Sequence, residues 1–151
     1  LYPYRDGVVV YSIPRIDFLR DRDGDGVADD RETLYESLGR PRDTHGMQNA
    51  FRRGFDGWLY INHGFANETT VAGRDGSRIA MHSGNTYRVR LDGSRVEQFT
   101  WGQVNPFGSA LLPDGDLITS DCHNHQWIPW SHRRSRICRN FWSWLDSQTS
   151  R

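Results

Sequence analysis

The chain has no net charge and no long apolar run, and both absences exclude classes of function. Nineteen basic residues balance nineteen acidic ones, so a basic surface for nucleic acid is not indicated. No stretch approaches the roughly 18 apolar residues that a membrane-spanning helix needs. The N-terminus shows no basic segment followed by an apolar one, so no signal peptide is visible. Since the chain begins with Leu1, we expect it to be a piece of a longer protein.

Cysteine is scarce, and the two that occur define no metal or haem site. Cys122-His123 lacks the upstream cysteine of a C-x-x-C-H haem attachment, and Cys138 adds no metal-binding spacing. Two unconnected thiols are favoured over a disulfide. The sequence also lacks a Ser-His-Asp, Cys-His or three-histidine zinc pattern with convincing spacing.

Asp-Gly pairs punctuate the chain and predict an all-β fold. Asp6-Gly7, Asp56-Gly57 and Asp114-Gly115 each precede a β-prone run, at intervals of roughly 50 residues, and Asp75-Gly76 and Asp92-Gly93 flank further runs. Asp-Gly between such runs is a strong turn signal, because glycine adopts positive φ without a Cβ clash. The period predicts a partial β-propeller of about two to three blades. An ordinary sandwich with chance spacing is the alternative.

The composition changes abruptly near residue 124. All 15 glycines precede Asn124, whereas His125 to Arg151 contains no Gly, Ala or Val and holds four of the six tryptophans. We therefore divide the chain into a propeller segment, 1–124, and an atypical tail, 125–151. A reading-frame error or assembly junction, giving a disordered tail, is the favoured explanation. A genuine basic-aromatic amphipathic tail is the alternative.

An acidic loop with EF-hand-like spacing predicts a calcium site. Calcium takes about six to eight hard oxygen ligands, and alternate acidic residues around a tight glycine turn converge on one point. Gly26 supplies the turn. The predicted ligands, at loop positions 1, 3, 5, 7, 9 and 12, are Asp21, Asp23, Asp25, the carbonyl of Val27, Asp29 and Glu32.

This loop is expected to join two strands. The segment before it is β-branched, and Pro14 would break an entering helix. The segment after it is expected to continue as a strand, although residues 32–38 could also form a short helix. The ion would have a structural role, because it offsets the repulsion among the carboxylates and pins the connection.

Histidine and asparagine recur where predicted strands begin or end. His45 precedes one strand, His63 ends the next, and Asn105 opens the last unit. In a propeller such ends point toward the central channel, where ligands commonly bind. A lone histidine in a loop is nevertheless more often a hydrogen-bonding turn residue than a general base.

Three segments, 19–32, 39–46 and 102–108, together resemble the membrane-bound dehydrogenase propellers of planctomycetes and verrucomicrobia. That family looks like a distant relative of the soluble quinoprotein glucose and sorbosone dehydrogenases. The resemblance covers roughly residues 6–123 and stops where the composition changes, in keeping with the frame-error hypothesis. It implies that the chain is a truncated part of a six-bladed ring.

The resemblance implies an extracytoplasmic oxidoreductase that acts on the hydroxyl group of a sugar or an alcohol. Pyrroloquinoline quinone would be its cofactor, with His45 as the base and Asn105 and His63 as cofactor contacts. Val104 stands where the relatives carry an arginine. A c-type cytochrome, or a haem domain outside this chain, would accept electrons in the periplasm or outside the cell. The acidic loop would be separate from the calcium site at the ring axis.

Two other functions fit the same residues. A non-catalytic, calcium-stabilised propeller could bind a carbohydrate or a protein. An incomplete ring also leaves sheet edges and apolar faces open, so a truncated product without function is a third interpretation. Because two to three blades supply only part of a six-bladed ring, we expect this chain by itself to be inactive as a dehydrogenase.

Overall fold

The computed structural model of the protein describes residues 1–39 and 47–121, together with the backbone of residues 128–130. These residues form strands, turns and coil without a helix, which confirms the prediction of an all-β protein. It follows that no described segment is a helix capable of crossing a membrane. The strands are β1 (Tyr2–Tyr4), β2 (Gly7–Ser12), β3 (Arg15–Arg20), β4 (Asp30–Tyr35), β5 (Asn49–Arg53), β6 (Leu59–His63), β7 (Glu68–Ala72), β8 (Arg78–His82), β9 (Gly84–Val89), β10 (Val96–Gln103), β11 (Pro106–Leu111), β12 (Leu117–Asp121) and β13 (Ile128–Trp130).

Antiparallel pairing arranges these strands in three successive sheets and one hairpin. The first sheet has the order β1-β2-β3-β4, the second has the order β10-β9-β6-β5, and the third has the order β11-β12-β13. Strands β7 and β8 form an inserted hairpin, because they lie in sequence between β6 and β9, which pair with each other. Among the described strands, most consecutive pairs are thus neighbours in a sheet.

The short helix that the sequence allowed over residues 32–38 does not form. Residues 30–35 are β4, which pairs with β3, and residues 36–39 are coil. Leu34 and Tyr35 are both buried in the main core. Pairing with β3 and burial of these two side chains outweigh the local helix tendency of the segment.

Four Asp-Gly turns share one backbone geometry. In each, the aspartate carboxylate accepts a hydrogen bond from the backbone N–H two residues later, as Asp56 does from Trp58 at 3.1 Å. Gly57 has a φ of 81°, a conformation that only glycine adopts at little cost. The other three turns contain Asp75-Gly76, Asp92-Gly93 and Asp114-Gly115.

Two hydrophobic cores lie between the sheets. The smaller core joins the second sheet to the third and contains Trp58, Tyr60 and Leu117, with Phe99 and Leu111 packed against them. The main core joins the first sheet, the second sheet and the inserted hairpin. Its buried members are Val9, Ile16, Phe18, Leu34, Tyr35, Leu38, Leu59, Ile61, Val71, Met81, Tyr87, Val89, Leu91 and Val96.

Two buried tyrosines of the main core offer a matched test of this packing. The hydroxyl of Tyr35 lies 2.7 Å from the carbonyl oxygen of Arg90 and 2.9 Å from that of Arg95, whereas the buried hydroxyl of Tyr87 has no hydrogen-bond partner. We expect Tyr35→Phe to lower the free energy of unfolding by about 1–2 kcal/mol, and Tyr87→Phe to leave it unchanged or raise it. Urea denaturation measures both. A larger loss for Tyr87→Phe would contradict the placement of that ring.

Candidate functional site

The acidic loop, residues 21–29, is the connection of the β3–β4 hairpin. Arg20 pairs with Asp30 across the two strands, and the backbone N–H of Asp29 donates to the carbonyl oxygen of Arg20 at 2.8 Å. Every residue of the loop is exposed. The strand–loop–strand arrangement agrees with the expectation from Pro14 and the β-branched segment before the loop.

Three carboxylates of this loop converge. One oxygen atom each of Asp21, Asp23 and Asp29 lies within 4.8 Å of the others. The carboxylate of Asp21 accepts hydrogen bonds from the backbone N–H of Gly26 at 2.8 Å and of Gly24 at 2.7 Å. These bonds, that of Gly26 first, lower the pKa of Asp21, so its carboxylate is kept ionised in a fixed orientation.

Two other predicted ligands, Asp25 and Glu32, do not join this trio. Asp25 accepts a hydrogen bond from the backbone N–H of Val27 at 2.7 Å. Glu32 lies on β4, opposite Phe18, and one of its carboxylate oxygens is 2.9 Å from a guanidinium nitrogen of Arg74. The twelve-residue spacing assumes a helical exit from the loop, whereas here the second strand already begins at Asp30.

The donor chemistry of the trio fits a hard cation. Carboxylate oxygens are the ligands that Ca²⁺ prefers, and Ca²⁺ takes about six to eight of them from protein and water. Asp21, Asp23 and Asp29 would hold the ion. The arginine within the loop is paired outside the trio: a guanidinium nitrogen of Arg22 lies 2.5 Å from the Asp30 carboxylate.

A buried polar network occupies the ends of strands in the second and third sheets. The side-chain oxygen of Gln103 accepts hydrogen bonds from the hydroxyls of Thr100 at 2.7 Å and Thr86 at 3.1 Å, and its amide nitrogen donates to the hydroxyl of Thr119 at 2.7 Å. The amide oxygen of Asn62 lies 3.0 Å from the same Thr86 hydroxyl. All five side chains are buried, so the network links the two sheets where the solvent cannot compete.

His63 lies in the interior at this end of the second sheet. It is 0% exposed, its Nδ1 contacts the carbonyl oxygen of Ser83, and its Nε2 lies 2.9 Å from the hydroxyl of Thr69. Burial lowers the pKa of His63, the hydrogen bond to Ser83 opposes that shift, and the nearby His82 adds to it. With both ring nitrogens engaged, His63 ties β6 to the inserted hairpin.

Asn105 is buried in the turn between β10 and β11. Its side-chain oxygen accepts a hydrogen bond from the backbone N–H of Phe65 at 3.0 Å. The carboxylate of Asp121 accepts from the backbone N–H groups of Val104 at 2.6 Å and Asn105 at 2.8 Å. Sequence reasoning assigned no role to Asp121 or Gln103, because their partners are set by strand register and not by a local motif.

Several predicted features lie outside the described residues. His45, the predicted base, falls in the segment 40–46, and Cys122, His123 and Cys138 fall in the segments beyond residue 121. The side chains of the tail, 125–151, are also outside. These predictions therefore stay predictions.

The fold and the loop define an all-β protein of stacked antiparallel sheets with an acidic hairpin connection. Over residues 1–143 the sequence matches the family described as "Domain of unknown function (DUF7133)". The chain belongs to this family. Comparison with curated proteins and with solved structures yields no match. The family match includes part of the segment beyond residue 124. The boundary between a propeller segment, 1–124, and a tail, 125–151, therefore stays a prediction.

The burial of His63 predicts how stability depends on pH. Because its folded-state pKa is lowered, the unfolded chain takes up a proton first as the pH falls below the ordinary value of roughly 6.5. The free energy of unfolding is therefore highest above that pH and decreases below it. We expect the decrease between pH 7 and pH 5 to be smaller in His63→Gln by up to about 2 kcal/mol.

The matched control is His82→Gln, whose histidine side chain is 78% exposed. Urea unfolding at a series of pH values measures the slope for each variant. The expectation fails if His63→Gln keeps the slope of the unsubstituted chain while His82→Gln changes it.

Proposed function

We propose that this chain is a calcium-stabilised section of a β-propeller whose role is to bind a ligand without catalysis. The observation that carries the calcium part is the convergence of Asp21, Asp23 and Asp29 at the tip of the β3–β4 hairpin. The bound ion would offset the repulsion among the three carboxylates and fix the connection between the strands.

The stacking of the sheets supports propeller blades. The first sheet is an antiparallel meander of four consecutive strands, and the second has the same order apart from the inserted hairpin. Each sheet packs on the next through a hydrophobic core, as successive blades do. In this arrangement β1, β5 and β11 are the first strand of each blade, and they would line the channel.

The calcium proposal is tested by neutralising two of the three carboxylates. In Asp21→Asn with Asp29→Asn, the negative charge is removed, and each side chain keeps one oxygen that can accept a hydrogen bond. We expect Ca²⁺ to raise the thermal midpoint of the unsubstituted chain by several degrees, to bind at one site in isothermal titration, and to bind at least about tenfold more weakly to the variant.

Asp75→Asn is the control for this experiment. Asp75 is exposed and accepts a hydrogen bond in a turn of similar chemistry, but it lies outside the trio. Its substitution should leave the calcium response unchanged. Equal responses in both variants, or no heat of binding to the unsubstituted chain, would refute a calcium site at this loop.

The internal engagement of His63 and Asn105 favours binding over catalysis. As placed, His63 has no ring nitrogen left to contact a quinone, and the side-chain oxygen of Asn105 accepts from the Phe65 backbone. These residues therefore do not fit a pyrroloquinoline quinone site in the described part of the chain. The carbohydrate or protein would bind at the channel side of the sheets.

The second candidate function is the extracytoplasmic sugar or alcohol dehydrogenase, which the motif resemblance favours. It would use pyrroloquinoline quinone, His45 as the base, and a c-type cytochrome or haem domain as electron acceptor. An intact family member that contains this domain separates the two functions. We expect no quinone-dependent dye reduction with sugars or alcohols, because the predicted contacts are engaged within the fold.

The dehydrogenase function would be established by the opposite result. It requires dye reduction that depends on added pyrroloquinoline quinone and is lost when the histidine corresponding to His45 is replaced by alanine. Calcium binding at the acidic loop is measured in the same preparation, so an inactive but folded protein is recognised as such.

A further inference from the structure

A polar cavity of about 480 Å³ lies beside β5, the edge strand of the second sheet. It is lined by residues 48–52, by Val10 and Tyr11 at the end of β2, and by Leu1. Cavities that hold small molecules fall in the range of about 300–1,000 Å³. The volume therefore has room for a molecule at least as large as a monosaccharide.

Two amide side chains of the cavity wall have unused hydrogen-bonding groups. Gln48 is 6% exposed, and neither its amide nitrogen nor its amide oxygen has a hydrogen-bond partner. The side-chain oxygen of Asn49 is also buried without a partner, although its nitrogen donates to the carbonyl oxygens of Met47 and Pro106. Buried polar groups are nearly always paired, with protein or with ordered water, so these atoms are available to a molecule that enters the cavity.

The backbone of β5 is irregular at the same place. Its pairing with β6 is interrupted between Asn49 and Arg52, and Ala50 has a φ of 53°. This left-handed conformation is costly for a residue with a Cβ, and such residues gather at ligand-binding sites. Ser109 of β11 stabilises the irregular strand, because its hydroxyl donates a hydrogen bond to the carbonyl oxygen of Ala50 at 3.2 Å.

The chemistry of the wall indicates what kind of molecule fits. Among the described side chains that line the cavity, none is acidic, and the charged one, that of Arg52, is exposed and donates through Nε to the carbonyl oxygen of Ser109 at 2.9 Å. A primary amide both donates and accepts hydrogen bonds. A hydroxyl group does the same, so an uncharged molecule with several hydroxyls can satisfy both groups of Gln48 at once.

We propose that the cavity beside β5 binds a small, uncharged polyhydroxylated molecule, with Gln48 and Asn49 as its principal hydrogen-bonding residues. This proposal rests on the non-catalytic binding role proposed above and names the class of its ligand. The irregular strand presents the two amides, and Val10 and Tyr11 supply the apolar side of the wall.

The proposal is tested by titrating the chain with D-glucose and with myo-inositol, at saturating calcium, by saturation-transfer NMR and isothermal titration. We expect saturable binding of at least one probe, with a dissociation constant on the order of millimolar. Gln48→Met keeps the length of the side chain and removes the amide. It should weaken binding at least about tenfold while the thermal midpoint stays unchanged or rises, because no unpaired amide remains buried.

Gln98→Met is the matched control, since Gln98 is exposed on β10 and does not line the cavity. It should bind both probes as the unsubstituted chain does. If Gln48→Met fails to fold, the side-chain amide resonances of Gln48 in the unsubstituted chain decide the question, because they must shift when the probe is added.

The proposal is overturned if neither probe binds saturably, if Gln48→Met binds as tightly as the unsubstituted chain, or if the Gln48 resonances do not respond. The calcium response of the acidic loop is recorded separately on the same sample. A folded chain that responds to calcium but not to the probes refutes the ligand assignment alone.

Discussion

The two central strands of the second sheet, β6 and β9, are covered on both faces, and the remainder of the described structure depends on this burial. All five residues of β6 are buried, and its partner β9 is buried at every position but Arg88. A strand that meets a core on each side leaves no face for polar side chains. Those that it does carry, Asn62 and His63, must therefore be paired within the protein. The polar network around Gln103 and the bonds of His63 meet this requirement.

The turns could be read from the sequence, but the long-range polar contacts could not. Asp-Gly chemistry is local: an aspartate acceptor followed by a glycine with positive φ predicts four of the five turns without knowledge of what surrounds them. At Asp6-Gly7 the residue with positive φ is instead Arg5, and Gly7 already lies in β2. The partners of Gln103 are set by the register between β9 and β10 and by the packing of the third sheet. Its bond to Thr119 joins residues that are 16 positions apart in different sheets, and no short motif encodes that proximity.

In the acidic loop, one feature could be predicted from the sequence and another could not. The alternation of aspartates correctly identified a turn that brings carboxylates together, because convergence around Gly24 and Gly26 is a local property. The position of Glu32 depends instead on the conformation of the chain after the loop. A helix would return that residue toward the first aspartate, but β4 carries it into the sheet, where Arg74 of the neighbouring turn binds it. Counting positions in a motif thus succeeds only as far as the backbone adopts the geometry of the motif.

The inserted hairpin has a consequence for the order in which the chain folds. Pairing of β6 with β9 brings His63 beside Asn85 and must close the loop between them, which has an entropic cost that grows with loop length. The β7–β8 hairpin has its own short turn and pairs only with itself, and hairpins form within about 1–10 μs. Once it has formed, only residues 64–67 and Ser83 lie between the hairpin and the strands β6 and β9. The insertion therefore converts one distant pairing into two successive local ones, which lowers the effective contact order of the most buried sheet.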